Sequence, residues 1–265
     1  MKVCEIRDEY RRINIGFLFY DEEKETCIVE LNETLRLEDA PVFFDVFLRK
    51  KLYTVDPVWS KKYMESRVIP PERQNIRSVL KSIGLKEYQT FSLLMSGEGR
   101  CPQDDCSIRI TGSHPEWVHQ RHLHKITTVT TLSGYRLFLT FVDGLTGIVP
   151  LGDYIKSHRQ WNSYLARPEE FAHISMEMNG LVLAWEGGQR LVYDRLYAMA
   201  KETGLDTEDL KRIICDVTTD TSELCQRHSV SRQYVNRTLT KKHIPALKKC
   251  GPTNLYFKGE GGFLM

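Results

Sequence analysis

The sequence lacks any apolar run long enough to cross a membrane. The best candidate, Tyr135 to Val142, is far shorter than the roughly 20 apolar residues that a spanning helix needs. The first residues, Met1 to Asp8, mix acidic and basic side chains, and no apolar core follows them, so they are unlike a secretory signal. We therefore expect a cytoplasmic chain without a membrane partner.

Cysteine is present, but in no recognisable disulfide or metal-binding pattern. The 7 cysteines are irregularly spaced and odd in number, which favours reduced and mostly buried thiols. Cys101 and Cys106 precede several histidines, among them His119 and His122, and thiolates with imidazoles can bind zinc. Their spacing fits no standard zinc finger, and buried thiols beside a surface histidine cluster are the alternative. We predict no metal and no other cofactor.

The motifs of common enzyme classes are also absent. The sequence has no His-Arg-Asp-like catalytic loop, no metal-binding Asp motif and no phosphate-cradling Gly loop, since Gly97 to Gly99 is too short for one. A catalytic Cys-His pair would lack an activating context. We predict that the chain is not an enzyme, with a metal-dependent enzyme built on residues 101–124 as the alternative.

Acidic residues are nearly missing from one end of the chain. The whole protein is almost balanced, with 37 basic and 35 acidic residues and a net charge of +2. Between Thr221 and Lys258, however, Glu223 is the only acid among many lysines and arginines. This concentration favours an anionic partner, and a solvated charged tail is the alternative.

Apolar periodicity predicts an α+β module in residues 1–112. Two β-rich runs, 13–20 and 26–31, should form a hairpin around residues 21–24. The composition of residues 97–115, rich in Gly, Pro, Asp and Ser, indicates a loop-rich boundary. Helices are predicted over 42–48, 71–83 and 87–94.

Residues 113–203 predict a small central α+β domain with antiparallel hairpins. Asp143-Gly144 and Asn179-Gly180 stand between β-rich runs, and such pairs tolerate the positive φ that tight turns require. Strands are predicted over 126–132, 135–142, 145–150, 174–178 and 181–185, and helices over 151–165 and 192–202.

Residues 204–265 predict a helix-turn-helix, with helices over 222–228 and 232–241. Leu224, Val235 and Leu239 should face inward, with Val230 at the turn and the small Cys225 where the helices cross. Ser229 stands where most such turns have glycine, because the backbone there is unusual. Ser231 is a suitable N-cap for the second helix.

The opposite face of the second helix carries side chains that suit DNA. Arginine pairs with guanine, glutamine and asparagine pair with adenine, and basic groups neutralise phosphates. An ordinary helical hairpin with a polar face is the alternative. The predicted DNA-binding residues of this helix and its cap are Ser231, Arg232, Gln233, Tyr234, Asn236, Arg237, Thr240 and Lys241.

The run Ser231 to Val235 resembles the recognition helix of bacterial helix-turn-helix regulators. With His243 to Gly251 and the aromatic run Asn254 to Lys258, residues from about 205 to 260 resemble the winged helix-turn-helix of excisionase and MerR-type proteins. The resemblance implies a small wing on the DNA backbone, with phosphate contacts from Lys248, Lys249 and Lys258. It also implies that two copies bind an inverted repeat, so we expect a homodimer.

Two further resemblances concern the rest of the chain. The runs 135–144, 179–185 and 194–197 resemble a small bacterial α+β domain of unknown function that covers about 125–201, which implies an interaction or sensing role. The runs 16–20 and 73–77 are similar to the N-terminal small subdomain of HipA-type toxin kinases over about 1–100. This second resemblance implies a regulatory fragment without kinase activity.

Together these features predict a cytoplasmic α+β protein that binds duplex DNA and regulates transcription. A narrower form of the hypothesis is an antitoxin-like autorepressor that also binds a protein partner through residues 1–112. The alternative from another class is an inhibitor that acts by binding a protein partner, with the helix-turn-helix secondary or inactive.

Overall fold

The structure is a computed structural model that describes residues 1–201, 205–241, 246, 248–250 and 253–257. These residues form helices and antiparallel sheets, which confirms the α+β class. Contacts divide the chain into a first unit, residues 1–126 and 173–198, and a second unit, residues 127–172 and 199–265. The central segment predicted from the sequence contributes to both units, and its independence as a domain stays a prediction.

Short strands and short helices follow one another along the described chain. The strands are β1 (Lys2–Asp8), β2 (Ile13–Asp21), β3 (Thr26–Leu31), β4 (Thr54–Val55), β5 (Cys106–Ile110), β6 (Ile126–Leu132), β7 (Arg136–Phe141), β8 (Thr146–Pro150), β9 (Ile174–Glu177), β10 (Val182–Trp185), β11 (Arg190–Val192), β12 (Thr218–Asp220), β13 (Lys248–Cys250) and β14 (Thr253–Phe257). The α-helices are α1 (Asp45–Arg49), α2 (Pro57–Glu65), α3 (Ile76–Ser82), α4 (Thr90–Ser96), α5 (Glu116–Arg121), α6 (Gly152–Ser157), α7 (Ser163–Ala166), α8 (Tyr193–Met199), α9 (Thr207–Val217), α10 (Thr221–His228) and α11 (Arg232–Lys241). Within the described residues no helix has the length and apolar character to cross a membrane.

The first unit contains an antiparallel five-stranded sheet in the order β4-β3-β2-β1-β5. The predicted hairpin of β2 and β3 is confirmed, with Tyr20 opposite Cys27. The prediction of a loop over 97–115 is wrong in part, because β5 pairs with β1 inside it. Only Cys106 and Ile108 of this edge strand face the core, so two apolar positions gave too weak an alternation to be recognised.

One face of this sheet forms a core with α2 and α4. Alternate residues of β1 and β2, such as Ile6 and Leu18, are buried there together with Tyr63 and Leu94 from the helices. The buried cysteines Cys4, Cys27 and Cys106 belong to the same core, as expected for small apolar residues. Burial disfavours the thiolate and raises the pKa of each to about 12. These thiols are therefore unreactive near neutral pH.

Several predicted helix boundaries of the first unit are wrong. The helix predicted over 71–83 begins only at Ile76, because turns occupy residues 71–75. The next helix is shifted from 87–94 to 90–96, and the one over 42–48 begins with a 3-10 turn before α1. Helix α2 was not predicted, although Asp56 caps it by accepting hydrogen bonds from the N–H groups of Val58 and Trp59 at 2.9 and 3.1 Å.

The first unit also contains a three-stranded sheet in the order β11-β10-β9. The predicted hairpin of β9 and β10 is confirmed, and Asn179 and Gly180 have φ values of 59° and 86°. A Cβ atom on residue 180 would lie 2.1 Å from the carbonyl oxygen of Ile126, so only glycine fits at this position. Helix α8 follows the sheet and ends at Met199, before the predicted end at 202.

A buried carboxylate joins the two chain segments of the first unit. Glu30 on β3 is fully buried and accepts hydrogen bonds from Thr54 Oγ1 at 2.9 Å, Arg121 Nη1 at 2.8 Å and Tyr193 Oη at 3.0 Å. His122 is also buried, with Nε2 3.4 Å from Glu30 Oε1. Thr54, the adjacent pair Arg121 and His122, and Tyr193 come from three separate parts of the chain, so this cluster depends on the complete unit.

The protonation states of this cluster follow from burial and charge. Burial alone would raise the pKa of Glu30, but His122 and the Arg121 guanidinium outweigh it and hold the pKa below its usual range. Burial also lowers the pKa of His122, although the neighbouring carboxylate opposes this. The folded first unit therefore favours an ionised Glu30, and it favours the neutral form of His122 more than an unfolded chain does.

The second unit begins with a sheet in the order β6-β7-β8, and its strands lie where the three strands were predicted. The single helix predicted over 151–165 is wrong, because α6, a 3-10 turn over 159–161 and α7 replace it. His158 is extended, with φ −120° and ψ 103°, and interrupts the helix. This break places Trp161 and Tyr164 in the core, at spacings that a continuous helix from Ile155 would not give.

Helix α9 is fixed to this sheet by an ion pair within the second unit. Arg136 on β7 donates from Nη1 and Nη2 to the two carboxylate oxygens of Asp209, both at 2.9 Å. Asp209 is 1% exposed, and Asp206 caps the helix by accepting from its N–H group. A bidentate pair of this kind fixes both the orientation and the distance of the two side chains. It therefore fixes the position of α9, the helix that precedes α10, against β7.

The Glu30 cluster predicts unequal effects for two similar arginine substitutions. Arg121→Met should lower the free energy of unfolding of the first unit by about 3–5 kcal/mol, because it leaves a buried carboxylate without its cation. Arg109→Met removes exposed ion pairs with Glu98 and Glu9 and should cost much less, because solvent screens such pairs. Urea unfolding, monitored by hydrogen exchange of the β3 amides, measures the unfolding free energy of both variants. Equal losses of unfolding free energy in the two variants would contradict the interpretation.

The same cluster predicts that acidification destabilises the first unit. The pKa of His122 is lower in the folded state than the value of about 6.5 in an unfolded chain, so the unfolded chain binds more protons below that pH. The stability that this difference contributes is present above about pH 6.5 and is lost as the pH falls below it. Glu30 adds a second loss, with the same sign, below about pH 4.3.

The histidine contribution can be isolated with two variants. His122→Gln should flatten the dependence of the unfolding free energy on pH between 7.5 and 5.5, whereas His119→Gln, an exposed position on α5, should leave it unchanged. The measurement is urea unfolding at a series of pH values. A slope that both variants retain would show that His122 does not titrate as inferred.

Candidate nucleic-acid interface

Two helices joined by a three-residue turn lie in the region predicted to bind DNA. Helix α11 has the predicted bounds, and α10 begins one residue earlier than predicted, at Thr221. Asp220 Oδ1 accepts a hydrogen bond from the N–H group of Glu223 at 2.8 Å and caps α10. Ser231 Oγ accepts one from the N–H group of Tyr234 at 3.2 Å, which confirms the predicted cap.

The turn between the helices depends on an unusual backbone conformation at Ser229. This residue has φ 53° and ψ 40°, the left-handed region, at the position where glycine is commonest. The N–H group of Val230 donates to the carbonyl oxygen of Cys225 at 3.1 Å and closes the end of α10. The chain thus forms the turn with a residue that adopts this conformation less readily than glycine does.

A small core holds the two helices together. Val235 and Leu239, one turn apart on α11, pack against Leu224 of α10, and each of the three is less than 5% exposed. Cys225 and Val230 pack at the edge of this core, as predicted from the sequence. Tyr256 on β14 completes it, and this strand residue was not among the predicted core residues.

A sheet in the order β12-β14-β13 accompanies the helices, with antiparallel pairing throughout. Its hairpin of β13 and β14 follows α11 along the chain, where the resemblance implied a wing. The backbone of Lys248 and Lys249 lies on β13, but their side chains and the whole of Lys258 lie outside the described residues. Phosphate binding by these three lysines stays a prediction.

Helix α11 divides into a buried side and an exposed polar side. Gln233, Asn236, Arg237 and Thr240 recur at three- and four-residue spacing, so they lie along one stripe of the helix. Tyr234 is 49% exposed and therefore does not pack into the core. All the predicted contact residues of this helix and its cap are exposed: Ser231, Arg232, Gln233, Tyr234, Asn236, Arg237, Thr240 and Lys241.

The chemistry of the exposed side of α11 suits a polyanion that also offers polar base edges. Arg232, Arg237 and Lys241 are cations, and α11 contains no carboxylate. Asn236 and Gln233 have amides that can pair with adenine, and an arginine can pair with guanine. Thr240 Oγ1 donates to the carbonyl oxygen of Asn236 at 3.0 Å, so its hydroxyl remains an acceptor.

The metal candidates of the sequence analysis have different surroundings. The thiol of Cys101 lies 4.0 Å from Asp104 Oδ1, whereas Cys106 is buried in the core of the five-stranded sheet. His119 is exposed on α5, and His122 is buried beside Glu30. Among the described residues, no three His, Cys, Asp or Glu side chains converge as metal ligands.

The buried cluster around Glu30 was not predicted, although the sequence contains a signal for it. The strand Cys27-Ile28-Val29-Glu30-Leu31 is apolar except for one carboxylate, and a charge in such a strand needs a partner. The partners Arg121 and Tyr193 are too distant in sequence to be identified from it. His122 was assigned to a surface cluster, and its burial corrects that assignment.

Comparison of the chain with protein-family models, with curated proteins and with solved structures gives no match. The interpretation of α10 and α11 therefore depends on their own geometry and residues.

The left-handed Ser229 gives a testable prediction about stability. Ser229→Gly should stabilise the α10–α11 unit by about 0.5–1 kcal/mol, because glycine adopts this conformation without the clash of a Cβ atom. Ser222→Gly, the same chemical change in the exposed first turn of α10, should destabilise it by about 0.5 kcal/mol. Hydrogen exchange of the α11 amides measures both, and a loss of protection in Ser229→Gly would contradict the geometry of the turn.

Proposed function

We propose that this protein is a DNA-binding transcriptional regulator that places α11 in the major groove of duplex DNA. The hairpin of β13 and β14 would contact the backbone as a wing, as the resemblance to excisionase and MerR-type proteins implies. The first unit would then serve sensing or protein interaction. DNA recognition by the second of two crossed helices is a common mode in regulators.

The observation that supports the proposal is the division of α11. Its apolar residues Val235 and Leu239 are buried in the small core, so one side of the helix packs against the rest of this core. The other side keeps the arginines and amides exposed, without a carboxylate to neutralise them. A helix that merely covered a core would not need this combination of side chains.

The proposal includes binding as a homodimer to an inverted repeat. Two copies of α11 would enter successive major grooves about 34–36 Å apart, one helical turn of DNA. Sedimentation of the complex with selected duplexes should give two chains for each DNA. One chain on a single, non-repeated site would contradict this part of the proposal.

The deciding experiment is selection of duplexes from a random library by the full chain, followed by a salt series. A regulator should enrich one sequence and bind it at least about a thousandfold more tightly than a scrambled duplex. Affinity should fall steeply as salt rises, because cations on the protein displace those on the phosphates. Failure to enrich any sequence would overturn the proposal.

Substitutions on α11 give a quantitative prediction. If Arg237 contacts a phosphate, Arg237→Ala should reduce the slope of log affinity against log salt by about 1. If it reads a base, the loss should be about 1–3 kcal/mol and confined to one position of the site. Arg77→Ala, an exposed arginine on α3, is the matched control and should leave binding unchanged. An Arg237→Ala protein that binds like the control would contradict the assignment.

A second candidate function is binding of a protein partner through the first unit. It is favoured by apolar side chains that α1, α2 and their surroundings leave in solvent, with Val42, Val46 and Val58 each more than half exposed. The double variant Arg232→Ala, Arg237→Ala separates the two functions. A regulator loses binding to its selected duplex, whereas an inhibitor of a partner protein keeps its full effect.

A further inference from the structure

A groove in the first unit has a lining that the DNA interface does not explain. It has a volume of about 420 Å³, and it lies beside β1, β2 and the start of α5. Grooves of roughly this size, about 300–1,000 Å³, accommodate small ligands. Glu5, Asn14 and Trp117 are the lining residues that decide what it could bind.

Two buried polar atoms at this groove have no hydrogen-bond partner among the described residues. Asn14 Nδ2 donates to Glu5 Oε1 at 2.9 Å, and Asn14 Oδ1, the other end of the amide, has no donor. His114 Nδ1 also has no hydrogen-bond partner, and this nitrogen is an acceptor when the ring proton is on Nε2. Unpaired buried acceptors are unfavourable, so the groove is suited to a molecule that brings N–H donors.

Glu5 is the only acidic or basic side chain other than His114 among the residues that line the groove. Its cross-strand partner Arg109 on β5 lies outside that lining. Arg7 approaches Glu5 Oε1 at 3.8 Å with a partly exposed guanidinium, which leaves the second oxygen, Oε2, for another donor. A carboxylate beside an acceptor amide attracts a cation that has more than one N–H group.

An aromatic surface lies next to these acceptors. The Trp117 and Phe17 rings are 5.8 Å apart between centroids, and both residues line the groove. The indole of Trp117 already packs against a planar cation, since Arg121 Cζ lies 4.9 Å from its ring centroid. Arg121 itself is neutralised by Glu30 and Glu33, so it adds little net charge to the groove.

We propose that this groove binds a small planar organic cation through a guanidinium or amidinium group. The group donates to Glu5 Oε2 and, after a small rotation of the half-buried Asn14, to its Oδ1. The flat body of the ligand packs against Trp117. The site is independent of the proposed DNA interface, because all of its residues belong to the first unit.

Benzamidine is a suitable probe, with benzamide and benzoate as its neutral and anionic counterparts. Calorimetric titration of the full chain should show that benzamidine binds at least about tenfold more tightly than either counterpart, since only it offers a charge-assisted pair to Glu5. On the unmodified protein, benzamidine should shift the NMR signals of the Glu5 amide, the Asn14 side-chain amide and the Trp117 indole N–H. Equal binding of the three probes, shifts confined to other residues or no binding would overturn the proposal.

Substitutions test which residues act. Glu5→Gln keeps the shape of a partly exposed side chain and should weaken benzamidine binding by about tenfold or more, as should Trp117→Leu. Glu22→Gln and Trp59→Leu, in the same unit but outside the groove lining, are the matched controls and should bind like the unmodified chain. Losses as large in the controls would show that the binding is nonspecific.

Discussion

The fold of the first unit depends on one buried carboxylate. Glu30 cannot remain ionised in the interior unless donors reach it, and they come from β4, from the end of α5 and from α8. A shift of α5 would leave the carboxylate without its cation, and a shift of β4 or α8 would remove one of its hydrogen-bond donors. The cluster therefore selects one arrangement of the chain more strongly than apolar packing alone would, since apolar contacts tolerate small displacements.

Features set by near neighbours in the sequence could be predicted. The hairpin of β2 and β3, the Asn179-Gly180 turn and the bounds of α11 all follow from alternation, turn residues or helical spacing within a short window. Predictions that needed distant partners were incomplete. Strand β5 exists because β1 offers it an edge, and the break at His158 serves a core that the local pattern does not reveal.

The same distinction applies to the two candidate sites. The exposed face of α11 could be predicted, because the periodicity that buries Val235 and Leu239 leaves the other residues outside. The groove at Glu5 could not, because its acceptors and its indole come from three separate parts of the chain. In the α10–α11 turn, the need for a left-handed backbone conformation could be predicted from the glycine that is usual there. The structure shows that Ser229 adopts this conformation.

The order of segments along the chain has a consequence for synthesis. The hydroxyl of Tyr193 follows the carboxylate of Glu30 by 163 positions, and the residues between them include 127–172 of the second unit. At about 5–20 residues per second, a ribosome needs roughly 10–30 s to supply that hydroxyl. Until then the nascent first unit lacks at least this donor to its buried charge, and for most of the interval it lacks β9, β10 and β11 as well. Its completion therefore waits until most of the chain has been translated, and a nascent chain of this kind offers chaperones a long period of access.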